Sequence, residues 1–84
     1  MLKILYFAWL RERTGRAEEE ISLPEGVASV ADLMRWLRAR DAAHATAFAN
    51  PFLVRAAVNH VFAGPNTALT SGDEVAFFPP VTGG

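Results

Sequence analysis

From Leu2 to Trp9 almost every position is branched, aromatic or otherwise apolar. Such a run predicts a strand, and its near-continuous apolarity implies that both of its faces meet protein. Side chains alternate along a strand, so Leu2, Ile4 and Tyr6 form one set and Lys3, Leu5 and Phe7 the other. The charge on Lys3 marks the second set as outward, which turns Phe7 away from the core. Ala8 to Thr14 predicts a short helical turn ending at Gly15, where a residue without Cβ accepts positive φ. Ala17, Ile21 and Leu23 then keep one parity across a second strand from Arg16 to Leu23, closed by the turn residues Pro24-Glu25-Gly26.

Ser29 followed three residues later by Asp32 resembles a capping box with aspartate in place of glutamate. It precedes Val30, Leu33, Met34 and Leu37 at i, i+3, i+4 and i+7, the spacing of one helical face. Asp32 and Arg35 fall on the other side, so the helix lies across a sheet with one face in water and Met34 filling core. The segment Asp41 to Asn50 is alanine-rich but poorly amphipathic, and reads as loop or short helix before Asn50-Pro51. Leu53 to Phe62 predicts a third strand, with Val58, His60 and Phe62 on one parity and Ala57, Asn59 and Val61 on the other. Gly64-Pro65-Asn66 ends it. A fourth strand, Glu74 to Phe78, follows the Ser71-Gly72-Asp73 turn and stops at Pro79-Pro80, which lack ladder donors.

The order strand, strand, helix, strand, strand predicts an α+β fold of the ubiquitin-like β-grasp type, a mixed sheet with one main crossing helix. By analogy with that fold the first and last strands lie side by side and parallel. Residues 1–78 form the body and residues 79–84 an extended tail ending in Gly-Gly. The N-terminal run is broken by Arg11 and lacks a small-residue cleavage site, so it reads as strand and not as a signal peptide. No stretch reaches the ~20 apolar residues that span a bilayer.

The chain has 84 residues, 51% of them hydrophobic and 20% charged, with a net charge of −1. One small core fits this length, and the charge balance argues against nucleic acid or an anionic membrane as partner. With no cysteine there is no disulfide, thiol nucleophile or zinc–thiolate site, and a reducing cytoplasm suits the chain. Phosphate-binding loops, metalloprotease helices and nucleophile elbows are likewise missing from the sequence, so a self-contained enzyme is not expected. His44 and His60 lie in different elements without a further nitrogen ligand at metal spacing, and are expected on the surface. The run Glu18-Glu19-Glu20 reads as a solvated edge that discourages strand pairing, with a basic partner as the alternative. Trp9 and Trp36 adjoin core-forming segments, where packing explains them.

Two features remain that packing does not absorb. Phe7, Phe62 and Phe78 share the parities of Lys3, His60 and Glu74, which makes an exposed aromatic docking surface. Reversed sheet faces are the competing reading, and polar Asn59 in the inner set favours it. The second feature is Gly83-Gly84: two glycines fall on a given pair of positions only about 0.5% of the time. Without Cβ atoms such a terminus threads a channel too narrow for other residues and carries its carboxylate to a buried reagent. The six residues from Pro79 to Gly84, stiffened at their root by the prolines, reach roughly 20 Å when extended.

The ending GDEVAFFPPVTGG, the opening LKILYFAWLRERTG and the segment AAVNH resemble the small, sulfur-carrying subunits of molybdopterin synthase, in the ubiquitin-like MoaD/ThiS family. The resemblance covers both ends of the chain and is weak from about Asp41 to Phe52. It implies a carrier whose Gly84 carboxylate is adenylated with ATP by a separate ubiquitin-activating-like adenylyltransferase and converted to a thiocarboxylate with sulfur from a donor protein. It also implies that no cofactor is bound permanently. An α-carboxylate with a pKa near ~3.5 is anionic at neutral pH and a poor electrophile, so a leaving group must be installed before sulfur attacks. The loaded tail would enter the large synthase subunit, in a heterotetramer of two small and two large subunits, and give its sulfur to a cyclic pyranopterin precursor. Gly83 then serves tail threading, and the resemblance assigns partner contacts to Phe7, Phe62, Phe78, Pro79, Pro80, Val81 and Thr82, the last at a position where the family varies. Alternatives are a sulfur carrier for thiamine or cysteine synthesis, which FFPP and the length argue against, a modifier joined to target lysines, and a β-grasp interaction module with idle glycines.

Overall fold

The computed structural model describes residues 1–80. Strand β1 (Leu2–Tyr6) is followed by helix α1 (Trp9–Thr14), strand β2 (Glu18–Ile21), helix α2 (Val30–Arg38), helix α3 (Ala42–Ala47), a 3-10 turn (Pro51–Leu53) and strands β3 (Arg55–Val58), β4 (Val61–Ala63) and β5 (Glu74–Phe78). The sheet order is β2-β1-β5-β3-β4. β1 and β5 pair in parallel, with Lys3 opposite Glu74 and Tyr6 opposite Phe77, while the other three pairings are antiparallel.

Local chemistry sets the helix boundaries. Ser29 Oγ accepts the Asp32 N–H at 3.2 Å, and the Asp32 carboxylate accepts the Ala28 N–H at 3.0 Å, so the predicted capping pair forms with its return bond one residue early. Gly15 ends α1 in the left-handed region at φ 78°. The Asp41 carboxylate caps α3 by accepting the His44 N–H at 2.8 Å, so the 41–50 segment holds a short helix over Ala42–Ala47 and leaves it before Asn50. Leu2, Ile4, Tyr6, Ala56, Val75 and Phe77 form the inner face of the sheet, covered by Val30, Leu33 and Leu37 of α2 together with Leu10 and Phe48. At its centre Phe77 stacks on Tyr6 and meets Phe48 edge-on, with ring centroids 6.4 and 5.0 Å away.

Three boundaries differ from the expectation. β2 is confined to Glu18–Ile21, shorter than the strand from Arg16 to Leu23 that the sequence predicts. β1 stops at Tyr6, because Ala8 takes φ 53°, ψ −132° and turns the chain into α1. The predicted strand from Leu53 to Phe62 is two strands: Asn59 and His60 both have positive φ, 51° and 70°, and form a two-residue hairpin turn. Asn59 is held there by β5, donating its N–H to the Glu74 carbonyl at 2.8 Å and accepting the Glu74 N–H on Oδ1 at 3.0 Å. The turn removes the objection that polar Asn59 raised, since Asn59 belongs to neither face. It also separates Val58 from Phe62: Val58 packs against the core, while Phe62 pairs with Ala57 on the outer side.

Candidate functional site

The register places Leu5, Ala76, Ala57 and Phe62 in one row across four strands, on the face that no helix covers. Phe78, two residues beyond Ala76, shares that face opposite Arg55. Phe62 is 81% exposed and its ring lies 5.9 Å from that of half-buried Phe78. Phe7 continues the outward parity just past β1, 48% exposed, with its N–H donating to the Phe77 carbonyl at 3.0 Å. The three phenylalanines therefore share the outer face. Because β1 and β5 are parallel, Phe7 and Phe78 also share the end of the sheet at which β5 hands over to Pro79. Charged groups flank the row: Lys3 pairs with Glu18 at 3.4 Å, and His60 lies 3.2 Å from Glu74.

Pro79 and Pro80 are half-buried against Trp9, Arg13 and Leu53, around a shallow cavity of about 400 Å³. The Arg13 guanidinium lies 4.4 Å over the Trp9 ring, one helical turn away. α1, short as it is, thus forms the wall on which the tail root rests. In the sequence, packing accounts for Trp9 and nothing but its i, i+4 spacing from Arg13 hints at this wall; Leu53 carries no such signal. Val81, Thr82, Gly83 and Gly84 lie outside the described residues.

His44 and Glu19 are corrections to the sequence reading. His44 is fully buried, not on the surface, and the Glu19 side chain is only 7% exposed, so the acidic run is not uniformly solvated. The cause is strand geometry: Glu19 pairs with inward-facing Ile4, so a charge run on β2 must send its middle member toward the core. Compensation is local. Tyr6 donates its hydroxyl to Glu19 Oε2 at 2.6 Å, Arg16 reaches Oε1 at 3.2 Å and Arg40 binds the same oxygen. His44 Nε2 lies 3.3 Å from Glu19 Oε2, and its Nδ1 2.8 Å from Asp41 Oδ1. Burial alone would raise the Glu19 carboxyl, but hydrogen bonds from Tyr6, Arg40 and His44 outweigh it and hold the group below the ordinary carboxylate range. Burial pushes the Tyr6 phenol up, and the bond to Glu19 adds to the effect, so Tyr6 remains a donor. This cluster sits on the side opposite the outer aromatic row and ties β1, β2 and α3 together.

A five-stranded mixed sheet with parallel central strands, one long helix across a single face and a chain end leaving beside the first strand defines a ubiquitin-like β-grasp protein. The chain belongs to the ThiS family, whose model matches residues 4–84. It is 40% identical to the molybdopterin synthase sulfur carrier subunit of Escherichia coli (strain K12), over 84 residues and the whole of both chains. The corresponding subunit of Haemophilus influenzae is 36% identical over the same span. Among solved structures, SAMP1 from Haloferax volcanii aligns with a TM-score of 0.74 and 28% identity, covering 99% of this chain and 98% of that one. A Pyrococcus furiosus structure provisionally assigned as molybdopterin converting factor, subunit 1, aligns with a TM-score of 0.77 and 36% identity, covering 95% and 97%. No helix among the described residues is long and apolar enough to cross a membrane.

Proposed function

We propose that the chain is the sulfur-carrying small subunit of a molybdopterin synthase, a body of residues 1–78 that presents residues 79–84 to its partners in the cytoplasm. The observation that carries the reading is the end-to-end match to two sulfur carrier subunits, together with a family match that runs through Gly84. In this reading a ubiquitin-activating-like enzyme spends ATP to adenylate the Gly84 carboxylate. Hydrosulfide released by a donor protein then attacks the acyl carbon, the C–O bond to AMP breaks with AMP leaving, and Gly84 becomes a thiocarboxylate. Gly83, lacking a Cβ, lets the end thread the large subunit, where the thiocarboxylate gives its sulfur to a cyclic pyranopterin precursor.

The shared end of β1 and β5 supports a coupling between docking and aim. A large subunit seated on Phe7, Phe62 and Phe78 would hold Pro79 and Pro80 in fixed direction, with Val81 and Thr82 as further partner contacts of the tail. The assembly expected is two small with two large subunits. Full-length similarity to molybdopterin synthase carriers supports this pathway over thiamine or cysteine synthesis and over lysine modification. The test is reconstitution: thiocarboxylated chain, mixed with a molybdopterin synthase large subunit and the cyclic precursor, is expected to yield the dithiolene product. No product there, with sulfur transfer in a thiazole-forming system instead, overturns the assignment.

A further inference from the structure

We propose that a second docking groove, separate from the outer aromatic row, takes an acidic amphipathic segment of a partner protein. The groove lies on the helix side of the sheet between α2 and the stretch from the 3-10 turn to β4, and encloses about 610 Å³. Val30, Met34, Phe48 and Ala56 make its floor. Phe52, 82% exposed, stands at its edge. Arg35, Arg38 and Arg55 line it as well, and no aspartate or glutamate does.

That charge pattern identifies the occupant. The chain has eight basic and nine acidic residues, yet three of the basic ones and none of the acidic ones border this groove. Arg35 is paired with Asp32, whereas Arg38 and Arg55 form no ion pair among the described residues. An apolar floor rimmed by guanidinium groups complements a segment with large apolar side chains on one face and carboxylates on its flanks. A small ligand fits less well, because such sites use convergent buried polar groups to fix orientation. Among the described residues, the buried polar groups of Tyr6, Thr14, Glu19 and His44 all lie outside the groove lining.

The groove also continues the outer surface around an edge strand. Phe62 faces outward on β4 and the next residue, Ala63, lines the groove; Arg55 lies opposite Phe78 in the register and also lines the groove. A segment seated in the groove would cover the helix side of the sheet edge that short, apolar β4 leaves open, without reaching Phe62 on the other side.

The full chain, isotope-labelled, is titrated with a synthetic peptide carrying leucine and tryptophan on one helical face and glutamate on the other. Saturable binding is expected, with chemical-shift changes centred on Met34, Arg38, Phe52 and Arg55. Arg38→Glu with Arg55→Glu should weaken it by roughly tenfold or more, and the double lysine variant by less. Phe62→Ala should leave it unchanged. Exposed arginines are not needed for folding, and unaltered thermal unfolding of the variants checks this. The proposal is overturned by absence of saturation, by equal affinity for a lysine-substituted peptide, or by shifts confined to Phe7, Phe62 and Phe78. Binding of a fluorescent fatty acid in the groove without peptide binding would overturn it in favour of a small amphiphile.

Discussion

Replacing Phe62 by alanine separates docking from folding, and the exposure of its ring sets the size of the effect. A phenylalanine presents on the order of 200 Å². At 81% exposure about 160 Å² of this is open in the free chain, and covering it completely is worth ~4 kcal/mol at ~25 cal/mol per Å². Alanine retains part of that contact, so the expected loss on binding is ~2–3 kcal/mol, or roughly 30- to 150-fold in Kd. In the free chain the ring is 81% exposed with Phe78 as its aromatic neighbour, and its removal should change stability by no more than ~1 kcal/mol. Phe77→Ala is the contrast. That ring is fully buried between Tyr6 and Phe48, and its loss should cost ~3–5 kcal/mol of stability. Calorimetric titration with the large synthase subunit and thermal unfolding of both variants measure the two quantities. If Phe62→Ala binds within about twofold of the parent, where a central contact would cost tenfold per ~1.4 kcal/mol, the outer row is not the docking surface. A stability loss equal to that of Phe77→Ala would place Phe62 in the core.

Glu19→Gln removes the charge on which Tyr6, Arg16, Arg40 and His44 converge, and should cost ~1.5–3 kcal/mol at neutral pH. The folded Glu19 carboxyl is held below its ordinary value, so the unfolded chain takes up the proton first as pH falls. Its stabilisation is therefore complete above the ordinary carboxylate range and disappears as pH drops through the folded value; urea unfolding against pH should show a shallower acid-side decline in Glu19→Gln than in the parent, and an identical slope would contradict the reading. His60→Gly places the residue preferred at the second position of an Asn-containing hairpin turn where φ is 70° and should raise stability by ~0.5–1 kcal/mol, a few degrees in Tm. No gain in unfolding temperature would show that the His60–Glu74 contact outweighs the backbone strain.

The elements with strong local signals were legible before the structure. α2 announces itself through Ser29, Asp32 and the spacing of Val30, Leu33 and Leu37, and β5 is bounded by Gly72 and Pro79. The hairpin at Asn59-His60 was hidden because histidine replaces the glycine that usually marks such a turn. Even so, Phe62 faces outward as expected, since the two-residue turn restores its position opposite Ala57 while moving Val58 to the core. Glu19 and His44 were misread because a run of like charges suggests solvent, whereas strand alternation and the partners brought by α3 decide burial. The second groove could not be read at all: its arginines come from α2 and β3, and only the folded chain sets them around one floor.

Intact mass reads the proposed role of the Gly84 carboxylate directly. The full chain is incubated with ATP, a sulfur donor and an activating enzyme shown in parallel to be competent on a related carrier. Replacement of one oxygen by sulfur is expected, located at Gly84 by fragmentation and abolished when Gly84 is deleted. An unchanged mass under those conditions, or sulfur found anywhere other than Gly84, contradicts that role.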